Sequence, residues 1–72
     1  MEFDYSELLG KIKARRFTQE TLAKHIGMAK SSMCLKLNNK AKFRHDEIFL
    51  ICEALGIEIS EIGVYFFTPK VR

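Results

Sequence analysis

The sequence predicts an all-α protein, a compact bundle of about five short helices closed by a short extended C-terminal tail. Three observations predict it. Apolar residues recur at steps of three and four along most of the chain, the spacing of a half-buried helix. Residues that tolerate left-handed backbone, Gly27, Asn38–Asn39 and Gly56, stand where those runs stop. The chain has 72 residues, 47% apolar and 29% charged, which makes it globular, with room for one domain over 1–72 and no second.

Each element has its own support. Tyr5, Leu8, Leu9 and Ile12 predict a first helix over Ser6–Arg16, with Asp4 and Glu7 at capping-box spacing and two arginines in the last turn. Thr18 is the expected N-cap of a second helix, whose apolar stripe is Leu22, Ala23 and Ile26 and which Gly27 ends. A third helix runs over Lys30–Leu37 and breaks at Asn38–Asn39–Lys40. A fourth covers His45–Leu55, with Ile48, Ile51, Cys52 and Leu55 inward, Asp46 and Glu47 in its first turn, and Gly56 as its stop. A short fifth is expected near Ile59–Gly63. The tail, 64–72, opens with Val64–Tyr65–Phe66–Phe67–Thr68–Pro69, a strand-like composition.

The net charge of +3 hides an asymmetry. Between Lys11 and Arg44 lie ten bases and one acid, Glu20, a local net of +9. The remainder carries eight acids and two bases, a net of −6. Such a split points to an anionic partner, or to a solvated lysine-rich face.

Other chemistry is thin. A catalytic pocket needs a larger core than this length supplies, so no enzymatic activity and no small-molecule substrate are expected. No apolar run approaches the ~20 residues of a membrane helix, and no secretory leader is visible. Cys34 and Cys52 make no disulfide framework and read as reduced thiols, so a cytoplasmic protein is expected. His25 and His45 lack partners at metal-ligand spacing, and no phosphate loop or nucleophile motif occurs. No cofactor or metal is expected. Only Phe17 and Phe43 of the aromatics fall in the basic window, which argues against a stacking platform for single strands.

The informative stretch is 18–40, TQETLAKHIGMAKSSMCLKLNNK. Over 18–37 it reads helix, three-residue turn with Gly, helix, the signature of a helix-turn-helix. Ala23 is small where the second helix must cross closely, Gly27 permits the turn, and Met28, Met33 and Leu37 supply apolar contacts between the two helices. Here the sequence resembles the lambda-repressor-like DNA-binding domains of the Cro/repressor type. Thr18, Gln19, Leu22, Ala23, Ile26, Gly27, Met33, Asn38 and Lys40 fall on the family's pattern. Short phage Cro-like regulators have this size and a similar Leu55–Gly56–Ile57 then Tyr65–Phe66–Phe67 ending. The chain departs from the pattern at Ala29, where Ser or Thr usually caps the third helix, and at Lys36, where many members are apolar.

The resemblance implies that the third helix, 30–37, enters the major groove of double-stranded DNA. On a helical wheel Ala29, Met33 and Leu37 share the core side, and Ser31, Cys34, Leu35 and Asn38 the opposite one. The family's base-reading positions carry over to Lys30, Ser31 and Leu35. Lys30 would donate to guanine or else contact phosphate or solvent. Leu35 would pack on a thymine methyl or, with the helix rotated, join the core. Phosphate contacts are expected from Gln19 at a helix N-terminus and from Ser32, Asn39, Lys40, Lys42 and Arg44 around the exit of the third helix. Cys34 reads as a tolerated surface residue or a redox-sensitive thiol.

A single helix-turn-helix makes few contacts, so a homodimer on paired half-sites is expected. Leu50, Tyr65, Phe66 and Phe67 are its candidate dimerisation residues, by strand pairing of the tail. Alternatively the three aromatics cap the core of one copy. The main reading is thus a sequence-specific transcriptional regulator of phage or mobile-element type. The alternative is a protein-interaction module, an antitoxin or anti-repressor, on the same scaffold.

Overall fold

The computed structural model describes residues 2–71. Its helices are α1 (Ser6–Ala14), α2 (Gln19–His25), α3 (Lys30–Leu37), α4 (His45–Leu55) and α5 (Ile62–Phe66), with a 3₁₀ turn at Ile59–Glu61 leading into α5. The radius of gyration is 11.2 Å, matching the roughly 11 Å of a compact chain of this length. The all-α expectation holds. The third and fourth helices carry the bounds that their periodicity and stop residues predict.

Four of the helices close with one device. The chain reverses through a left-handed residue, and the next N–H reaches back five residues to a helix carbonyl. The left-handed residues are Arg16 (φ 65°), Gly27 (77°), Asn39 (62°) and Gly56 (69°). The returning bonds are Phe17 to Ile12 (3.0 Å), Met28 to Ala23 (2.7 Å), Lys40 to Leu35 (2.8 Å) and Ile57 to Cys52 (2.9 Å). Three of these stops are visible in the sequence. The first is not, because a left-handed residue with a Cβ costs about 1–2 kcal/mol and Arg16 carries no such signal. The first helix consequently ends at Ala14 rather than Arg16. That early end frees Arg15, whose Nε donates to the Leu55 carbonyl at 2.9 Å and places a cation on the C-terminus of α4. A Cβ at Gly56 would meet the Arg15 guanidinium, which would have to shift from its place over the end of α4.

Thr18 caps α2 as expected: its hydroxyl accepts the Thr21 N–H at 3.0 Å, and the Thr21 hydroxyl accepts the Thr18 N–H at 2.8 Å. The box expected at Asp4 and Glu7 does not form. The cap position is Tyr5, whose side chain is needed in the core. Asp4 instead accepts from the Ser6 hydroxyl at 2.5 Å and the Ser6 N–H at 2.9 Å, which holds its carboxyl below the usual range.

The core gathers Leu8, Ile12, Leu22, Ala23, Met33, Leu37, Ile48, Ile51, Cys52, Leu55, Ile57 and Phe66 around the crossing of the helices. An aromatic chain closes one end. Phe67 meets Phe3 edge-on at 5.6 Å, Tyr5 meets Phe43 at 5.6 Å, and Phe43 meets Phe66 at 5.4 Å. Such pairs each add about 0.5–1.5 kcal/mol beyond burial. Burial raises the pKa of the Tyr5 phenol and of the Cys52 thiol.

The C-terminal tail differs most from expectation. Val64–Phe66 is helical, not extended, because Phe66 fills the core at 1% exposure. Packing overrides the strand-leaning composition. Extended backbone begins past Phe67 and pairs with the chain's own N-terminus. Phe3 and Pro69 form an antiparallel bridge, flanked by bonds from the Asp4 N–H to the Thr68 carbonyl (2.7 Å) and from the Lys70 N–H to the Glu2 carbonyl (3.0 Å). In this register the N–H and C=O of Phe3 point away from Pro69. Asn39 takes both: its Oδ1 accepts the Phe3 N–H and its Nδ2 donates to the Phe3 carbonyl, each at 2.9 Å.

Asn39 therefore serves the left-handed turn after α3 and the N-terminal segment at once, and two substitutions separate the roles. Asn39→Gly keeps the turn and loses the pair of bonds, a cost of about 1–2 kcal/mol in denaturant unfolding. Asn39→Ala adds the left-handed strain, for about 2–4 kcal/mol in total. Equal losses would show that the turn stores no strain. The thiols offer a second check. Cys34 is exposed and Cys52 buried, so a colorimetric thiol reagent should modify one cysteine per native chain and the second only on unfolding. Rapid modification of both would contradict the packing of α4.

Candidate interaction surface

Two helices at the centre of the basic window set the candidate site. α2 and α3 pack on each other through Leu22, Ala23, Met33 and Leu37, all buried. With Met33 and Leu37 inward, α3 turns Ser31, Cys34, Leu35 and Asn38 outward. Leu35 is 46% exposed, which sets aside the alternative that it joins the core. Ala29, expected on the core side, is exposed because it lies in the extended residue before α3 rather than on the helix.

The expected base-contact residues thus share one exposed face, with Lys30 at its entrance. The Lys30 ammonium lies 3.6 Å from the Glu20 carboxylate, both side chains well exposed, so the pair contributes little. Gln19 is exposed as the first residue of α2, Ser32 is half-buried, and Lys40 and Lys42 are exposed. Arg44 is exposed, 3.5 Å from Asp46. Asn39 stands apart from this set. Its amide oxygen and one Nδ2 hydrogen are held by Phe3, which leaves one N–H for the phosphate contact expected of it.

The charge of this window is less available than its sum implies. The Lys36 ammonium is bound by both Glu47 oxygens, at 2.6 and 2.5 Å, with side-chain exposures of 12% and 17%. Glu47 Oε1 also accepts the Arg44 N–H at 2.8 Å, capping α4. Lys36 therefore ties α3 to the start of α4, which accounts for a cation at a position that many members of the resembled family make apolar. Arg15 is committed to Leu55. Lys11, Lys13, Arg16, Lys24, Lys40 and Lys42 make no ion pair among the described residues.

The residues proposed for dimerisation do not form one surface. Phe66 is interior, and Tyr65 is half-buried. Leu50 and Phe67 remain 39% and 48% exposed. The extended tail is paired within the chain, so it does not offer the strand that dimer pairing by that route requires. Sequence reasoning missed other exposed apolar residues, Phe49 at 54% and Ile59 at 67%. For Phe49 a signal existed: Ile48–Cys52 is apolar without interruption, so α4 has apolar residues on both faces and only one can turn inward. No helix among the described residues is long and apolar enough to cross a membrane.

No curated protein matches the chain. The solution structure of the modulator of repression (MOR) of the temperate bacteriophage TP901-1 from Lactococcus lactis is similar, with 39% identity and a TM-score of 0.80. The match covers 100% of this chain and 97% of that one. The family DUF739, described as a protein of unknown function, matches residues 1–69. At that coverage, the chain belongs to the DUF739 family.

Proposed function

We propose that this chain is a non-catalytic phage regulatory module that modulates repression by direct contact with a repressor protein. The single observation that carries this is its whole-length similarity, at 39% identity, to the modulator of repression of a temperate phage. The exposed apolar side chains Phe49, Leu50, Ile59, Val64 and Phe67 support it, since large apolar groups left outside a small fold suit a protein partner. Regulation through a protein needs no pocket, and a scaffold of this size suffices.

A second reading has its own support. Ser31 and Leu35 share an exposed face of α3, with Lys30 at its start and unpaired Lys40 and Lys42 beyond its end. That is the layout of a lambda-repressor-like helix-turn-helix of Cro type reading double-stranded DNA as a homodimer, with phosphates held by Gln19, Ser32, Lys40, Lys42 and Arg44.

One set of measurements separates the two. The purified chain is mixed with the repressor from the same element, and both are run by sedimentation with and without operator DNA. A stoichiometric complex with altered operator occupancy is expected. The chain alone is then titrated on a random DNA library at several salt concentrations. A groove reader with about five phosphate contacts would give a log–log slope near −4 to −5. In that case Lys40→Ala would weaken all sequences alike, while Lys30→Ala would relax base preference. Specific DNA binding by the chain alone, with no repressor complex, would replace the first reading by the second.

A further inference from the structure

A groove of about 230 Å³ lies beside the aromatic end of the core, lined by Phe3, Lys42, Phe43, Ile48, Phe66 and Phe67. Its deepest residues are Phe66 and Ile48, 1% and 6% exposed. Phe67, 48% exposed, forms an open wall. The rings are fixed before anything binds. Phe3 and Phe67 meet edge-on at 5.6 Å, and Phe43 and Phe66 at 5.4 Å, so a guest group need not order them. The volume falls below the roughly 300 Å³ at which drug-sized ligand pockets begin, and suits one or two apolar side chains.

The lining of the groove carries one charge. Lys42 is the only ionisable residue in its lining, is exposed, and makes no ion pair among the described residues. Lys40, two residues before it, is also exposed and makes no ion pair among the described residues, while Arg44, two residues after it, lies 3.5 Å from Asp46. A cation at the lip of an aromatic slot favours an anion next to an apolar group. We propose that this groove takes a bulky apolar side chain of an acidic peptide segment, with Lys42 pairing a carboxylate beside it. The proposal rests on the reading that the chain works by protein contact, and it names the chemistry of one such contact.

The test is an NMR titration of the full chain with a synthetic nonapeptide. The peptide carries Leu and Phe four residues apart, flanked by Asp and Glu. A copy with the acids replaced by Lys, and decanoate, serve as comparisons. The acidic peptide should shift resonances around Phe3, Phe43, Ile48, Phe66 and Phe67 and bind at least tenfold tighter than the lysine copy. Lys42→Glu should weaken it at least tenfold with the amide spectrum otherwise unchanged. Lys13→Glu, the same charge change on α1, should leave it within twofold. Equal binding of both peptides, equal effects of the two charge reversals, or shifts with decanoate alone would overturn the proposal. Because no repressor is present, loss of peptide binding with an intact repressor complex removes the groove alone. The converse result removes the modulator reading instead.

Discussion

The fold depends on one side-chain amide. Asn39 ends α3 by adopting the left-handed backbone, and the same residue holds both outward backbone groups of Phe3, 36 positions earlier. Phe3 in turn pairs with Pro69 and packs on Tyr5 and Phe67. The amide thus plays the part of a neighbouring strand, presenting an acceptor and a donor at the spacing a peptide unit would. Through it the end of the third helix fixes where both chain termini run. The aromatic end of the core forms between them.

Around that anchor the charged residues do two kinds of work. Lys36 and Arg15 hold helices together, one by a shielded ion pair to Glu47, the other at the C-terminus of α4. A half-buried pair of this kind fixes an arrangement more surely than it adds stability, since desolvation offsets much of the attraction. Lys13, Lys24, Lys40 and Lys42 are exposed and make no ion pair among the described residues. The large positive sum over 11–44 is therefore not one uniform field. It divides into cations that hold helices together and cations that stand unpaired at the surface.

The sequence made the local structure legible and the distant contacts opaque. Periodicity and stop residues gave α3 and α4 their limits, because each boundary is decided within a few residues of itself. The α1 boundary escaped because Arg16 bends the chain against its own preference, held by the bonds of the Arg16 and Phe17 N–H groups to the Lys13 and Ile12 carbonyls of the same helix. The tail escaped because Val64–Phe67 has the composition of a strand, while the deciding factor is a core vacancy that only Phe66 fills. Among the candidate site residues, the outward set on α3 was legible from the wheel once Met33 and Leu37 were placed inside. Asn39 was not, since nothing near it in the chain announces a bond to Phe3, and its type suits a phosphate contact equally well. Similarity to a phage modulator adds what neither spacing nor packing contains, which is a process to propose for the surface.

Pro69 carries a last consequence. In the bridge with Phe3 its outward side would present an N–H to any further strand, and proline has none. The opposite margin of this two-segment ladder is covered by the Asn39 amide. One margin is filled, and the other offers the Pro69 carbonyl but no donor. Extended segments at the two ends of a small chain are a common starting point for edge-to-edge aggregation. Here they pair with each other within one chain, through a single bridge.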